Sequence, residues 1–202
     1  MLLPIYRSAV RQFDARVQAV RDEQWSLSTP DTEWDVHRLV RHVIVGQTTM
    51  TAALTGGASE RIGQDLSGPE LVTRWTAAST AAVEALTAAS PDSQVQLPTG
   101  AAPVSELGWR LATDLTVHAW DLARAIDAPD EFPNDLLAHV LDQLKGSDGR
   151  WLPPDRYAPS IPVPGCTDDL TELLALTGRN RWWRRNATAF APDKGANSPP
   201  AR

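Results

Sequence analysis

Apolar residues recur along this chain at steps of three and four, the spacing that places them on one face of an α-helix, and strand-like alternation is nearly absent. Tyr6, Val10, Phe13, Val17 and Val20 make a first stripe, Val36 to Leu54 carries a second, and Leu71, Trp75, Ala78, Ala82 and Ala89 make a third. Ser67 and Glu70, with Pro69 in the first turn, form a capping box for the third helix, and Gly56 with Gly57 ends the second. A fourth helix spans VSELGWRLATDLTVHAWDLARAI, and Ser90 to Pro103, rich in turn residues, separates it from the third. Four long helices joined by loops of roughly 10 to 15 residues predict an all-α fold, a four-helix bundle. A shorter fifth helix is expected from Asn134 to Lys145.

Further on, RWLPPDRYAPSIPVPG holds too many prolines for a helix or a central strand. It is expected to cross the bundle as an extended segment, with Trp151, Tyr157 and Ile161 closing one end of the core. Leu170, Leu173, Leu174 and Leu176 then predict a short helix ending at Gly178. Residues 1–183 are thus read as one domain, and 184–202, with little apolar surface, as a disordered tail.

The fourth stripe is anomalous. It runs Val104, Leu107, Leu111, Asp114, His118, Asp121, Ala125, so two acids and an imidazole occupy a seam that should be apolar. An ionised carboxylate facing a core costs several kcal/mol unless it is compensated, and a divalent cation would compensate it. Asp114 and His118 project about 40° apart and one turn along, close enough to converge on one ion. Among the other histidines, His42 borders the apolar face made by Val36, Leu39, Val43 and Met50 and is the best third ligand. His37 and His139 are expected to face solvent. The competing reading pairs Asp114 with Arg110 and Asp121 with Arg124 in surface ion pairs worth under about 1 kcal/mol. In that reading the buried stripe shifts to Leu107, Leu111, Leu115, Leu122 and Ile126. Three ligand-type residues on one stripe favour a metal or catalytic site over coincidence.

Composition narrows the function further. A net charge of −6 over 202 residues argues against nucleic acid as a partner. No apolar run approaches the ~20 residues that span a bilayer, and MLLPIYRSAVRQF lacks a signal-peptide core, so a cytoplasmic protein is expected. Cys166 is the sole cysteine, which excludes an internal disulfide, and it reads as a structural thiol. Of the eight tryptophans, Trp109 and Trp120 flank the polar stripe and Trp34 begins the second helix; they are expected to serve packing, with the lining of a substrate pocket as the alternative. Arg110, Arg124 and Arg179 read as surface charges, with contact to a substrate carboxylate as the alternative.

The stretches TPDTEWDVHRLVRHVIVGQ, DLTVHAWDLARAIDAPD and PSIPVPGCTDDLTELLALTGRNRWW, in this order and spacing, resemble the DinB-like superfamily. More narrowly they are similar to actinobacterial proteins related to mycothiol-dependent maleylpyruvate isomerase. The resemblance implies a bundle that holds a divalent metal, commonly zinc, and places His42, Asp114 and His118 on its ligand positions. Asp114 is shorter than the glutamate or histidine met at that position in the family. Three protein ligands leave a coordination position open, where a thiol is deprotonated and becomes a nucleophile at neutral pH. The expected function is small-thiol chemistry, as a mycothiol-type S-transferase or thiol-dependent isomerase, with Asp121 supporting the ligands from behind. A metal-dependent hydrolase or lyase and a non-catalytic metal- or ligand-binding module are the alternatives. The partners expected are a small-molecule substrate and a small thiol, with a homodimer as a compatible assembly.

Overall fold

The computed structural model describes residues 1–97, 100–148, 150–151, 157–163 and 167–185. Six helices follow in chain order: α1 (Leu2–Val17), α2 (Val36–Thr55), α3 (Gly68–Ala88), α4 (Val104–Ile126), α5 (Asn134–Gly146) and α6 (Asp169–Leu176). The first four are the bundle. α1 packs on α4 and α3, α2 packs on α3 and α4, and α5 and α6 pack on each other, with α5 also against α4 and α1. One core runs through all of them, with Tyr6, Phe13, Leu39, Trp75, Leu115, Trp120 and Leu173 fully buried.

Local chemistry sets the helix ends. Asp35 caps α2 by accepting the Arg38 N–H at 2.8 Å, and Gly56 closes that helix in the left-handed region, with φ of 72°. At α3 the Ser67 N–H donates to Glu70 Oε2 at 2.7 Å, completing the capping box. Asp168 caps α6 through the Thr171 N–H at 2.9 Å. That helix ends in a Schellman motif: the Arg179 N–H donates to Leu174 O at 2.8 Å and the Gly178 N–H to Ala175 O at 3.1 Å. Gly178 has a φ of 75°, and a Cβ there would stand 2.6 Å from Ala158, so the position admits only glycine without strain.

Two sequence expectations are corrected. The segment before α4 contains a hairpin, β1 (Gln94–Leu97) antiparallel to β2 (Gly100–Pro103), with Gln94 paired to Pro103 and Leu97 to Gly100. QVQL is an alternating run, but four residues are too few for periodicity to stand out. Trp151 is buried and Tyr157 packs inward, whereas the Ile161 side chain is exposed and its N–H donates to Ala175 O at 2.9 Å. The expectations for Cys166, for much of the proline run and for residues 186–202 lie outside the described residues. Among the described residues, no helix is long and apolar enough to cross a membrane.

Candidate metal centre

α4 is the central helix of the molecule. From Ala112 to Ile126 it is buried nearly all round, so both stripes read from its sequence face protein. Polar side chains in this stretch must therefore find partners inside the fold. His118, 3% exposed, and Asp121, fully buried, lie one turn apart, with the His118 ring against His42 of α2. Asp114, one turn before His118, keeps 21% of its side chain exposed. His42, in the second turn of α2, meets them. One ligand atom each from His42, Asp114 and His118 falls within 4.8 Å of the other two.

One of these spacings matches that between two ligands of a metal ion. Two ligands of a tetrahedral zinc at 2.0–2.1 Å stand about 3.3 Å apart. His118 Nε2 lies 3.4 Å from Asp114 Oδ1. Two imidazoles and a carboxylate are borderline-soft and hard donors that suit zinc or a related divalent ion. The donor set fits such an ion, and His42, with a ligand atom within 4.8 Å of the other two, could supply a third donor.

Behind the donors stands a second set of contacts. His118 Nδ1 is 3.1 Å from Asp121 Oδ2, which holds the ring so that Nε2 points to the cluster. The same Asp121 oxygen accepts Arg179 Nη2 at 3.2 Å, and Nη2 also donates to Asp31 Oδ2 at 2.9 Å. The Tyr157 hydroxyl donates to Asp114 Oδ1 at 3.1 Å. Trp34 covers both imidazoles, with its ring centroid 4.4 Å from His42 and 5.7 Å from His118.

The electrostatics follow from this crowding. Burial by itself pulls the His118 pKa down, but Asp114 and Asp121 outweigh it and raise it to about 9. Burial pushes the Asp114 carboxyl up, and His118 and His42 reverse this, leaving it well below the ordinary carboxylate range. Asp121 is held low in the same way, by Arg179 and His118 against its burial. Without an ion, a proton on His118 balances the acids. A divalent cation would take its place.

Several sequence expectations change here. Asp121 pairs with Arg179 and His118 instead of Arg124, and Arg124 turns to Asp130, at 3.4 Å, and to Trp183 O, at 2.6 Å. Arg179 is no surface charge: it is 5% exposed and bound to two acids. His37 is half-buried with Nε2 2.6 Å from Leu66 O, and His139 is half-buried with Nδ1 2.7 Å from Asp135 O, so neither is simply solvated. Asp31, Trp34 and Arg179 at this site were not singled out as site residues by the sequence reading. Their one visible trace is the position of Trp34 just before the Asp35 cap, eight residues or about two turns ahead of His42.

Residues 6–123 match the family described as Mycothiol maleylpyruvate isomerase N-terminal domain. Over 188 residues the chain is 27% identical to the uncharacterized proteins MT0763 and Rv0738 of two Mycobacterium tuberculosis strains, covering 88% of this chain and 97% of each relative. Its fold is similar to the crystal structure of the mycothiol-dependent maleylpyruvate isomerase, with a TM-score of 0.58 at 16% identity over 79% of this chain and 73% of that one. A histidine-to-alanine mutant of that isomerase superposes with a TM-score of 0.60 at 15% identity, over the same shares. With more than half its length matched, and with the DinB-like bundle in place, the chain belongs to the mycothiol maleylpyruvate isomerase N-terminal domain family.

Proposed function

We propose that the protein is a metal-dependent enzyme of small-thiol chemistry, a thiol-dependent isomerase or S-transferase that uses mycothiol or a similar thiol. The observation that carries this reading is the convergence of His42, Asp114 and His118, three donors that leave a position of a four-coordinate ion to an exogenous ligand. Family membership supports the thiol. A divalent ion, zinc by its donor set, lowers the pKa of a thiol placed in the open position, so that thiolate is present at neutral pH.

The chain's own residues supply the rest. Asp121 fixes the His118 ring through Nδ1, leaving Nε2 for the ion. Tyr157 orients Asp114, whose short arm would otherwise rotate. Trp34 shields both imidazoles from water. In isomerisation, the thiolate sulfur adds to one carbon of a double bond conjugated to a carbonyl, and the π pair moves to the carbonyl oxygen. The new single bond rotates, the pair returns and the S–C bond breaks, with no net change in protons or electrons. In S-transfer, a proton is taken up at carbon and the S–C bond remains.

The test is titration of cobalt-substituted protein with small thiols, followed by assays of cis–trans isomerisation and of conjugation to an electron-poor alkene. A sulfur-to-cobalt charge-transfer band and thiol-dependent turnover are expected. Thiol-independent hydrolysis would replace this reading with a hydrolase, and metal binding without turnover would replace it with a binding module.

A further inference from the structure

The family match ends at residue 123, yet the buried cation behind the donors comes from residue 179. The Schellman turn closing α6 sends the chain back at Gly178, and Arg179 enters the interior directly after it. Its Nη1 donates to Thr177 O at 2.8 Å, which anchors the guanidinium to the helix end it came from. From there Nη2 reaches two acids on different elements. One is Asp121 of α4, which holds His118 Nδ1. The other is Asp31, whose backbone oxygen accepts the Trp34 N–H at 3.0 Å, so that the turn it opens carries the indole lying on His42. One guanidinium thus stands behind both histidines, by way of a carboxylate on one side and a braced turn on the other. Tyr157, whose ring lies 5.7 Å from the Arg179 guanidinium carbon, reaches Asp114 from the same C-terminal segment.

We propose that Arg179 is a positioning residue for the metal centre, bracing His118 through Asp121 and His42 through the Asp31–Trp34 turn, so that the C-terminal segment completes the site. The inference rests on the reading of His42, Asp114 and His118 as ligands. A guanidinium suits this place because its planar fork serves divergent acceptors at fixed angles, which an ammonium does not. A purely structural ion pair would stabilise the fold without changing how tightly the ion is held.

The experiment compares full-length wild type with Arg179→Lys, Arg179→Met and the double variant Arg179→Met/Asp121→Asn, which removes both buried charges together and so keeps the interior balanced. Zinc affinity is read by competition with a chromophoric chelator, and the His118 ring by nitrogen-15 NMR of the zinc-loaded protein. Arg179→Met is expected to lose about 10- to 100-fold in zinc affinity, and Arg179→Lys to recover part of that loss. The double variant is expected to fold but to stay weak for zinc, with a His118 ring no longer held in a single tautomer. Folded variants with wild-type zinc affinity and an unchanged His118 signature would overturn the inference and leave the metal centre standing. Wild type that takes up no zinc would overturn the metal centre itself, and this inference with it.

Discussion

The indole of Trp34 lies on the imidazole of His42, with ring centroids 4.4 Å apart and planes tilted by 37°. That contact restricts the one proposed ligand that comes from outside α4. Replacing Trp34 with leucine removes the indole from the His42 ring while keeping an apolar side chain in place. Zinc affinity is expected to fall about 10-fold, measured by chelator competition, because groups that orient a ligand change affinity on that scale. Affinity equal to wild type would show that His42 does not depend on the indole.

Asp121 is fully buried, with Oδ2 shared between His118 and Arg179. Asp121→Asn removes its charge at nearly constant shape and leaves Arg179 short of one partner. The expected result is a 10- to 100-fold loss of metal affinity or turnover, measured by zinc competition and by the thiol-dependent assay. If both stay unchanged, Asp121 serves only the fold.

His118 makes the stability of the metal-free protein depend on pH. Its pKa is raised from 6.5 to about 9, so its protonated form stabilises the fold fully below pH 6.5, and that contribution is lost as pH rises through about 9. The melting temperature of chelator-stripped protein should therefore fall between pH 6.5 and 9. Zinc-loaded protein should not show this fall, since the ion needs the neutral imidazole, and its zinc should instead be released on acidification. A stripped protein whose melting temperature is flat or rises over that window would contradict the charge balance described here.

Tyr157 donates to Asp114 across a sequence separation of 43 residues. Tyr157→Phe removes a hydrogen bond to a charged acceptor, a loss of about 1.5 to 3 kcal/mol. Chemical denaturation should register this as a lower midpoint with an unchanged slope. An unaltered midpoint would mean that the hydroxyl does not hold Asp114.

The bundle and half of the site were legible in the sequence because their signals are local. Asp114 and His118 share one helix, four residues apart, and polar side chains in an apolar stripe are visible without any tertiary knowledge. His42 was reached from a second stripe, by its place beside apolar neighbours. Arg179 was not, because its partner Asp121 is 58 residues away and an arginine after a helix-ending glycine reads as surface. Trp34 reads as packing from the sequence, and it does pack, but against His42 and His118. The hairpin escaped for a different reason: two strands of four residues give alternation too brief to separate from turn composition.

The central claim is that His42, Asp114 and His118 hold one divalent ion. His118→Ala would leave two acids buried beside a void, so His118→Gln, which keeps volume and polarity, is the better variant, measured beside His42→Gln. Metal content of purified protein, determined by inductively coupled plasma mass spectrometry after dialysis, tests the claim most directly. Near one equivalent in wild type and close to none in either folded variant is the result predicted here. Stoichiometric metal retained by His118→Gln, or no metal in wild type supplied with zinc, would contradict it.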